Sequence, residues 1–196
     1  MKHLVFFTSL VLAFAALCCI LPTRAETEIY SGVVRLHVIA NSDSERDQKT
    51  KLIVRDAVLG KIDGMTDGAT DAACAARMIE DNIDGIRALV SGTLVSIGED
   101  AAAAVTLSEE YYPERSYGDI SLPAGKYKSL RIMIGNAEGR NWWCVLYPAV
   151  CTSSARASSV FKQTGFSTEQ INVLTEDEKP VYKIKFKILE LIGASA

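Results

Sequence analysis

The chain has 196 residues, 48% of them apolar and 23% charged, and a formal net charge of −3. That length holds one domain with a substantial core, and the balance excludes a disordered or low-complexity chain. The acidic excess removes the electrostatic basis for binding nucleic acid or an anionic membrane surface.

The N-terminus carries the clearest local signal. Lys2 and His3 form a short basic region, and Leu4 to Ile20 is apolar apart from Thr8 and Ser9. Pro22 breaks the run, and Thr23-Arg24-Ala25 places small residues three and one before a cut after Ala25. This layout predicts a signal peptide over residues 1–25 and one domain over 26–196, with an uncleaved anchor as the alternative. Removing residues 1–25 takes away Lys2 and Arg24 and no acidic residue, so the net charge of −3 falls by two to −5. Cys18 and Cys19 follow Leu17 and Cys18, not the small residue that lipoprotein processing needs, so both belong to the apolar segment.

Val33 to Ala40 alternates as a first strand, with Val34, Leu36, Val38 and Ala40 on one face and Val33, Arg35, His37 and Ile39 on the other. Ser42, followed three residues later by Glu45, predicts a capping box and a helix to about Ile62. Gly60 to Gly68 is rich in Gly and Asp and reads as a connection. A second helix is expected from about Asp71 to Val90, where Ile79, Ile83, Ile86 and Val90 make one apolar stripe. Cys74 lies in its alanine-rich start and reads as helix filling.

Beyond Gly98 the period changes to two. Val105 and Leu107 alternate with polar residues, and Leu122-Pro123-Ala124-Gly125-Lys126 reads as a turn. Leu130 to Gly135 and Trp142 to Tyr147 read as two strands of a hairpin joined by Asn136 to Asn141. Ser153 to Thr168 reads as loop with a short helix. Tyr182, Ile184, Phe186 and Ile188 alternate with lysines and predict a half-buried strand. This order predicts an α+β domain, with helices packed on one face of a mostly antiparallel sheet after the N-terminal signal segment.

Catalytic constellations are sparse. His37 is the one histidine left after cleavage and lies inside a predicted strand, where a structural role with a hydrogen-bond partner or solvent outweighs catalysis. Ser159-Val160-Phe161-Lys162 matches SxxK without its companion motifs, and no HExxH, GxSxG, P-loop or GxGxxG occurs. Asn41, Asp43, Glu45 and Asp47 alternate like the start of a calcium loop, but Arg46 and Leu52 stand where its Gly and Glu belong, and helix capping explains the same residues. A secreted hydrolase using His37 or Ser159 is therefore the alternative reading, and no cofactor or metal is expected. Adjacent Trp142 and Trp143 point to opposite faces of a strand, so one can enter the core while the other offers a binding surface. Cys144 and Cys151 would lie ~23 Å apart in an extended chain. A disulfide between them thus requires a turn at Pro148, with two reduced buried thiols as the alternative.

Two segments, 34–43 with the charged helix after it and 113–151, carry a resemblance. The runs Val34-Arg35-Leu36-His37-Val38-Ile39-Ala40-Asn41-Ser42-Asp43 and Gly139-Arg140-Asn141-Trp142-Trp143-Cys144-Val145-Leu146-Tyr147-Pro148 resemble the stage II sporulation protein R family. The chain departs from the usual family pattern at Ala149 and Val150, where a proline and a leucine are customary. The resemblance implies a ligand and not an enzyme, exported from the forespore into the space between the two membranes. It implies one partner, a membrane-embedded aspartic protease, stage II sporulation protein GA, which then processes pro-sigma-E. Neither nucleic acid nor a small-molecule substrate is implied. The family motifs and aromatic anchoring make Asn41, Ser42, Asp43, Trp142, Trp143 and Tyr147 the candidate partner-binding residues.

Overall fold

The computed structural model describes residues 2–20, 24–153 and 155–175. The strand expected at Tyr182 to Ile188 lies outside them. Helix α1 (Lys2–Ile20) is the apolar N-terminal segment, and its large side chains from Leu4 to Phe14 face away from the rest of the protein. Among the described residues no helix is long and apolar enough to cross a membrane. Helix α2 (Arg24–Ser31) leads into β1 (Val34–Ile39), and α3 (Glu45–Met65), α4 (Ala72–Asp81) and α5 (Ile83–Ser96) follow. Strands β2 (Ala103–Tyr112), β3 (Arg115–Tyr117), β4 (Ile120–Leu122), β5 (Gly125–Ile134) and β6 (Asn141–Tyr147) come next, then α6 (Ala157–Gln163) and α7 (Thr168–Thr175).

The main sheet has the order β2-β5-β1-β6, with β1 parallel to β5 and the other pairs antiparallel; β3 and β4 form a separate small hairpin. The class is α+β, as the element pattern predicted. Every residue of β1 is buried because strands flank it on both sides and side chains cover both its faces. On one face Val34, Leu36 and Val38 meet Leu130, Ile132 and Ile134 of β5 and the apolar stripes of α3 to α5, including Val54, Val58, Ile79, Ile86 and Val90. A helical layer on this face was expected, but from two helices where three stand. The other face carries a second core under α2, α6 and α7, built on Ile29, Val33, Tyr112, Tyr127, Val145 and Phe161.

Three local expectations change. The strands at Leu130 and Trp142 are not hairpin partners, because β1 lies between them. Gly135 and Ala137 take positive φ angles of 56° and 55°, and the 135–141 loop crosses the end of β1 instead of folding β6 onto β5. The helix expected over residues 71–90 is two, split at Asn82, whose backbone leaves the helical region at φ −109° and ψ 14°. Its apolar stripe still continues across the break, since Ile79, Ile86 and Val90 are fully buried. Helix α3 runs through Gly60 and Gly64 to Met65, and its cap is Ser44, which accepts from the Asp47 amide, not Ser42. An exposed glycine inside a helix costs about 1 kcal/mol against alanine, and the buried row Thr50, Val54, Val58 and Ile62 outweighs it.

Candidate functional site

The residues expected to bind a partner fall into an interlocked pair of loops and an edge strand. The Asn41 carboxamide oxygen accepts from the Asn136 amide at 2.9 Å, and its nitrogen donates to Asp47 at 3.0 Å. The Ser42 hydroxyl donates to the same Asp47 carboxylate at 2.5 Å, and Asp43 accepts from the Arg140 amide at 2.7 Å. The Gly139 amide donates to Ala40 at 2.9 Å. Gly139 is held so closely that a Cβ there would lie 2.2 Å from the Ser42 carbonyl oxygen. Lys51, almost fully buried, donates to Gln48 at 2.7 Å and to the Arg140 carbonyl at 2.8 Å. Burial, then the Arg140 guanidinium, push its ammonium below the usual lysine range. The polar side chains of residues 41–43 thus fasten the β1–α3 connection to the loop before β6.

Trp142 and Trp143 point to opposite faces, as their adjacency predicts. Trp142, opposite Val38, is 37% exposed on edge strand β6 and lies under the Arg55 guanidinium, 4.2 Å from its ring centre. Arg140 and the 41–43 loop sit at that same end of β6, since Ile39 pairs with Asn141. Tyr147 sits at the far end opposite Val34, mostly buried. Asn41, Ser42, Asp43 and Trp142 therefore come together, while Trp143 faces the other side and Tyr147 lies apart. The sulfurs of Cys144 and Cys151 are in bonding contact, with Cα atoms 6.3 Å apart.

The second sheet face holds a polar cluster that the sequence did not expose. His37 Nδ1 donates to Glu110 at 2.7 Å, and Nε2 lies 3.0 Å from Asn141 Oδ1. The imidazole stacks on Trp143 at 3.7 Å and is almost wholly buried. Ser129 donates to the other Glu110 oxygen at 2.9 Å and meets the Tyr112 hydroxyl at 2.6 Å. Arg131 stands 3.7 Å from the same carboxylate, an ion pair too long for a hydrogen bond. Beside this chain Arg35 is fully buried, with its guanidinium 4.0 Å from the Tyr112 ring centre, 4.8 Å from Tyr127 and 5.4 Å from Tyr117. Its Nη2 donates to the Tyr117 hydroxyl, while Nε and Nη1 find no partner. Burial raises the phenol pKa of Tyr112, Tyr117 and Tyr127 above the usual value, so all three stay neutral at physiological pH. The available signal was Arg35 and His37 two residues apart inside a strand of otherwise apolar residues: buried polar groups need partners. Ser159 and Lys162 lie one turn apart on α6, and among the described residues no hydrogen bond joins Ser159 to Lys162 or to His37.

The hydrogen bonds to two carboxylates predict a response to acid. Hydrogen bonds from Ser42, then Asn41, hold the Asp47 carboxyl below its ordinary range, and the Ser158 hydroxyl does the same for Asp119. A depressed folded-state pKa stabilises the fold above the unfolded value of about 4 and is lost as pH falls through the folded one. The urea midpoint should therefore fall as pH drops below about 4, and Asp47→Asn with Asp119→Asn should flatten that fall. An unchanged slope in the double variant would refute the assignment.

The chain is thus a mixed α+β domain with a fastened β1–α3 loop and a part-exposed tryptophan on an edge strand. A family model described as stage II sporulation protein R matches residues 30–157. Stage II sporulation protein R of Bacillus subtilis (strain 168) is 32% identical over 163 residues, covering 83% of this chain and 68% of that protein. No solved structure matches. The chain belongs to the stage II sporulation protein R family, and its role is in sporulation.

Proposed function

We propose that this protein is an exported signal of endospore formation that activates a membrane-embedded aspartic protease, stage II sporulation protein GA, so that pro-sigma-E is processed. The observation that carries the reading is the family match over 163 residues, joined to an N-terminal segment with signal-peptide layout. Export places the domain between the forespore and mother-cell membranes, where it meets the receptor and where a bridge between Cys144 and Cys151 can persist. His37 supports a ligand over a hydrolase: both ring nitrogens face side-chain partners and one ring face is covered by Trp143, so no free base points at solvent.

The mechanism is a population shift. The ligand binds the active arrangement of the protease better than the inactive one and moves the equilibrium by that difference in affinity. Its contact surface centres on Trp142, with Arg55 over the ring and Asp43 and Arg140 beside it. A half-exposed aromatic under a guanidinium has the makeup of an interface anchor.

Co-expression of this chain with the protease and the sigma-factor precursor in a non-sporulating host tests the reading. Precursor cleavage should depend on the chain, and Trp142→Ala should weaken activation about 30-fold, the effect of losing an anchor of about 2 kcal/mol, with an unchanged circular dichroism spectrum. Cleavage that proceeds equally without the chain would sink the proposal.

A further inference from the structure

Among the described residues Arg35 is the most anomalous group. A guanidinium carries five N–H donors and stays charged in any protein environment. Here it is fully buried, and among the described residues no carboxylate touches it. The tyrosine rings around it compensate part of the lost hydration through their faces, and the one hydrogen bond goes to the Tyr117 hydroxyl. That bond uses Nη2, the nitrogen shared by both forks of a guanidinium, the one made with Nε and the one made with Nη1. Tyr117 thus supplies a single neutral acceptor at the spot where one carboxylate would make two charge-assisted bonds and satisfy an orphaned N–H.

Tyr117 is also the member of this arrangement that borders open space. It sits at the end of β3, a three-residue strand paired only with β4, and is followed by Gly118 at φ 63°. Tyr117 and Gly118 line an open cleft of about 350 Å³, together with Val150, Cys151 and Arg156. Cys151 accepts from the Val145 amide, and Val145 is the β6 residue opposite Arg35, so the cleft ends against the strand next to the one that carries the buried cation, and Tyr117 stands between the two. Asp119, the acidic residue of the lining, is already committed to the Ser158 hydroxyl and amide. Arg156 in the lining and Arg115 near Trp143 add positive charge.

We propose that this cleft is a carboxylate-binding site in which an incoming carboxylate displaces the Tyr117 hydroxyl and is held by the fork of Arg35. The hydroxyl is a stand-in acceptor that keeps the cation solvated while the site is empty. The carboxylate is either a small free acid or the acidic side chain of a polypeptide.

The test follows the Arg35 Nε–H resonance in isotope-labelled protein at constant ionic strength. One arm titrates sodium acetate, a second an amidated Gly-Ser peptide with one central glutamate, and the controls are sodium chloride and the same peptide with glutamine. The resonance should move saturably with a carboxylate and with neither control. Tyr117→Phe removes the competing acceptor and should lower the midpoint about tenfold, the worth of one hydrogen bond to a charged group. Saturation by acetate at the same concentration as by the peptide identifies a free acid as the occupant; saturation by the peptide at much lower concentration identifies an acidic side chain. A resonance that stays still with both carboxylates, in the natural protein and in Tyr117→Phe, overturns the site, and so does an equal shift with chloride.

Discussion

Replacing Gly139 with alanine should cost about 3 kcal/mol, the upper end of the overpacking range, and lower the melting temperature by roughly 10 °C. The added methyl would meet the Ser42 carbonyl oxygen at 2.2 Å, its carbon at 2.6 Å and the Ala40 methyl at 2.9 Å. Two of those atoms are backbone, so no rotamer change relieves the contact. The loop can yield only by giving up the Gly139 bond to Ala40, and with it the Arg140 bond to Asp43. Because that loop fastens the start of β6, displacement should also shift Trp142. Gly64→Ala is the control. It lies inside α3, where an added Cβ meets nothing within 4 Å, and it should stabilise by about 0.5–1 kcal/mol through helix propensity and unfolded-state entropy. Thermal unfolding of both variants measures the contrast; a Gly139→Ala protein as stable as the natural one would mean that the two loops are not locked together.

Glu110→Ala should be the second most damaging change, about 2–3 kcal/mol, at the lower edge of the cost of breaking a buried ion pair because the carboxylate keeps some solvent contact. One carboxylate accepts from His37 and from Ser129 and faces Arg131. Its removal leaves His37 Nδ1 without an acceptor and Arg131 without its ion-pair partner. Glu110→Gln keeps one acceptor oxygen and should cost about half as much. In a double-mutant cycle with His37→Ala, the two changes should cost less together than the sum of each alone, by about 1–2 kcal/mol. Urea unfolding of the four proteins gives the coupling directly, and a coupling of zero would show that His37 and Glu110 stand near each other without interacting. The cycle bears on function too. On the proposed function, a His37 that acts through stability should reduce precursor cleavage, when substituted, only in proportion to the folded fraction lost.

Much of this was legible from residue order. Alternation across Val33 to Ala40 specified a strand with two faces, and both faces of β1 (Val34–Ile39) are used. The apolar stripe from Ile79 to Val90 specified which side of the helical region is buried, although it concealed the break at Asn82, where the chain changes direction without losing the stripe. Trp142 and Trp143 were correctly placed on opposite faces. The Asn41-Ser42-Asp43 segment reads in sequence as a strand stop followed by a capping box at Ser42, and that cap is the wrong local account. Ser44 caps, and Ser42 turns its hydroxyl to Asp47 within a lock whose other half lies far along the chain.

The sequence by itself determined the apolar N-terminal segment, the α+β class and, through the Asn-Trp-Trp-Cys-Val-Leu run, the family. These are local properties, set by hydrophobic period, turn chemistry and residue identity within a short window. Strand order was decided only in three dimensions, because period two reports that a segment is a strand and not which strand lies beside it. That order inserts β1 between β5 and β6, so it also chose the partners of the two polar residues on β1. His37 finds Glu110 and Asn141 at separations of 73 and 104 residues, and Arg35 finds Tyr117 at 82. Burial gives such contacts their energetic weight, since an unpaired polar group costs most where water is excluded, and burial on both faces exists only once the whole sheet has assembled.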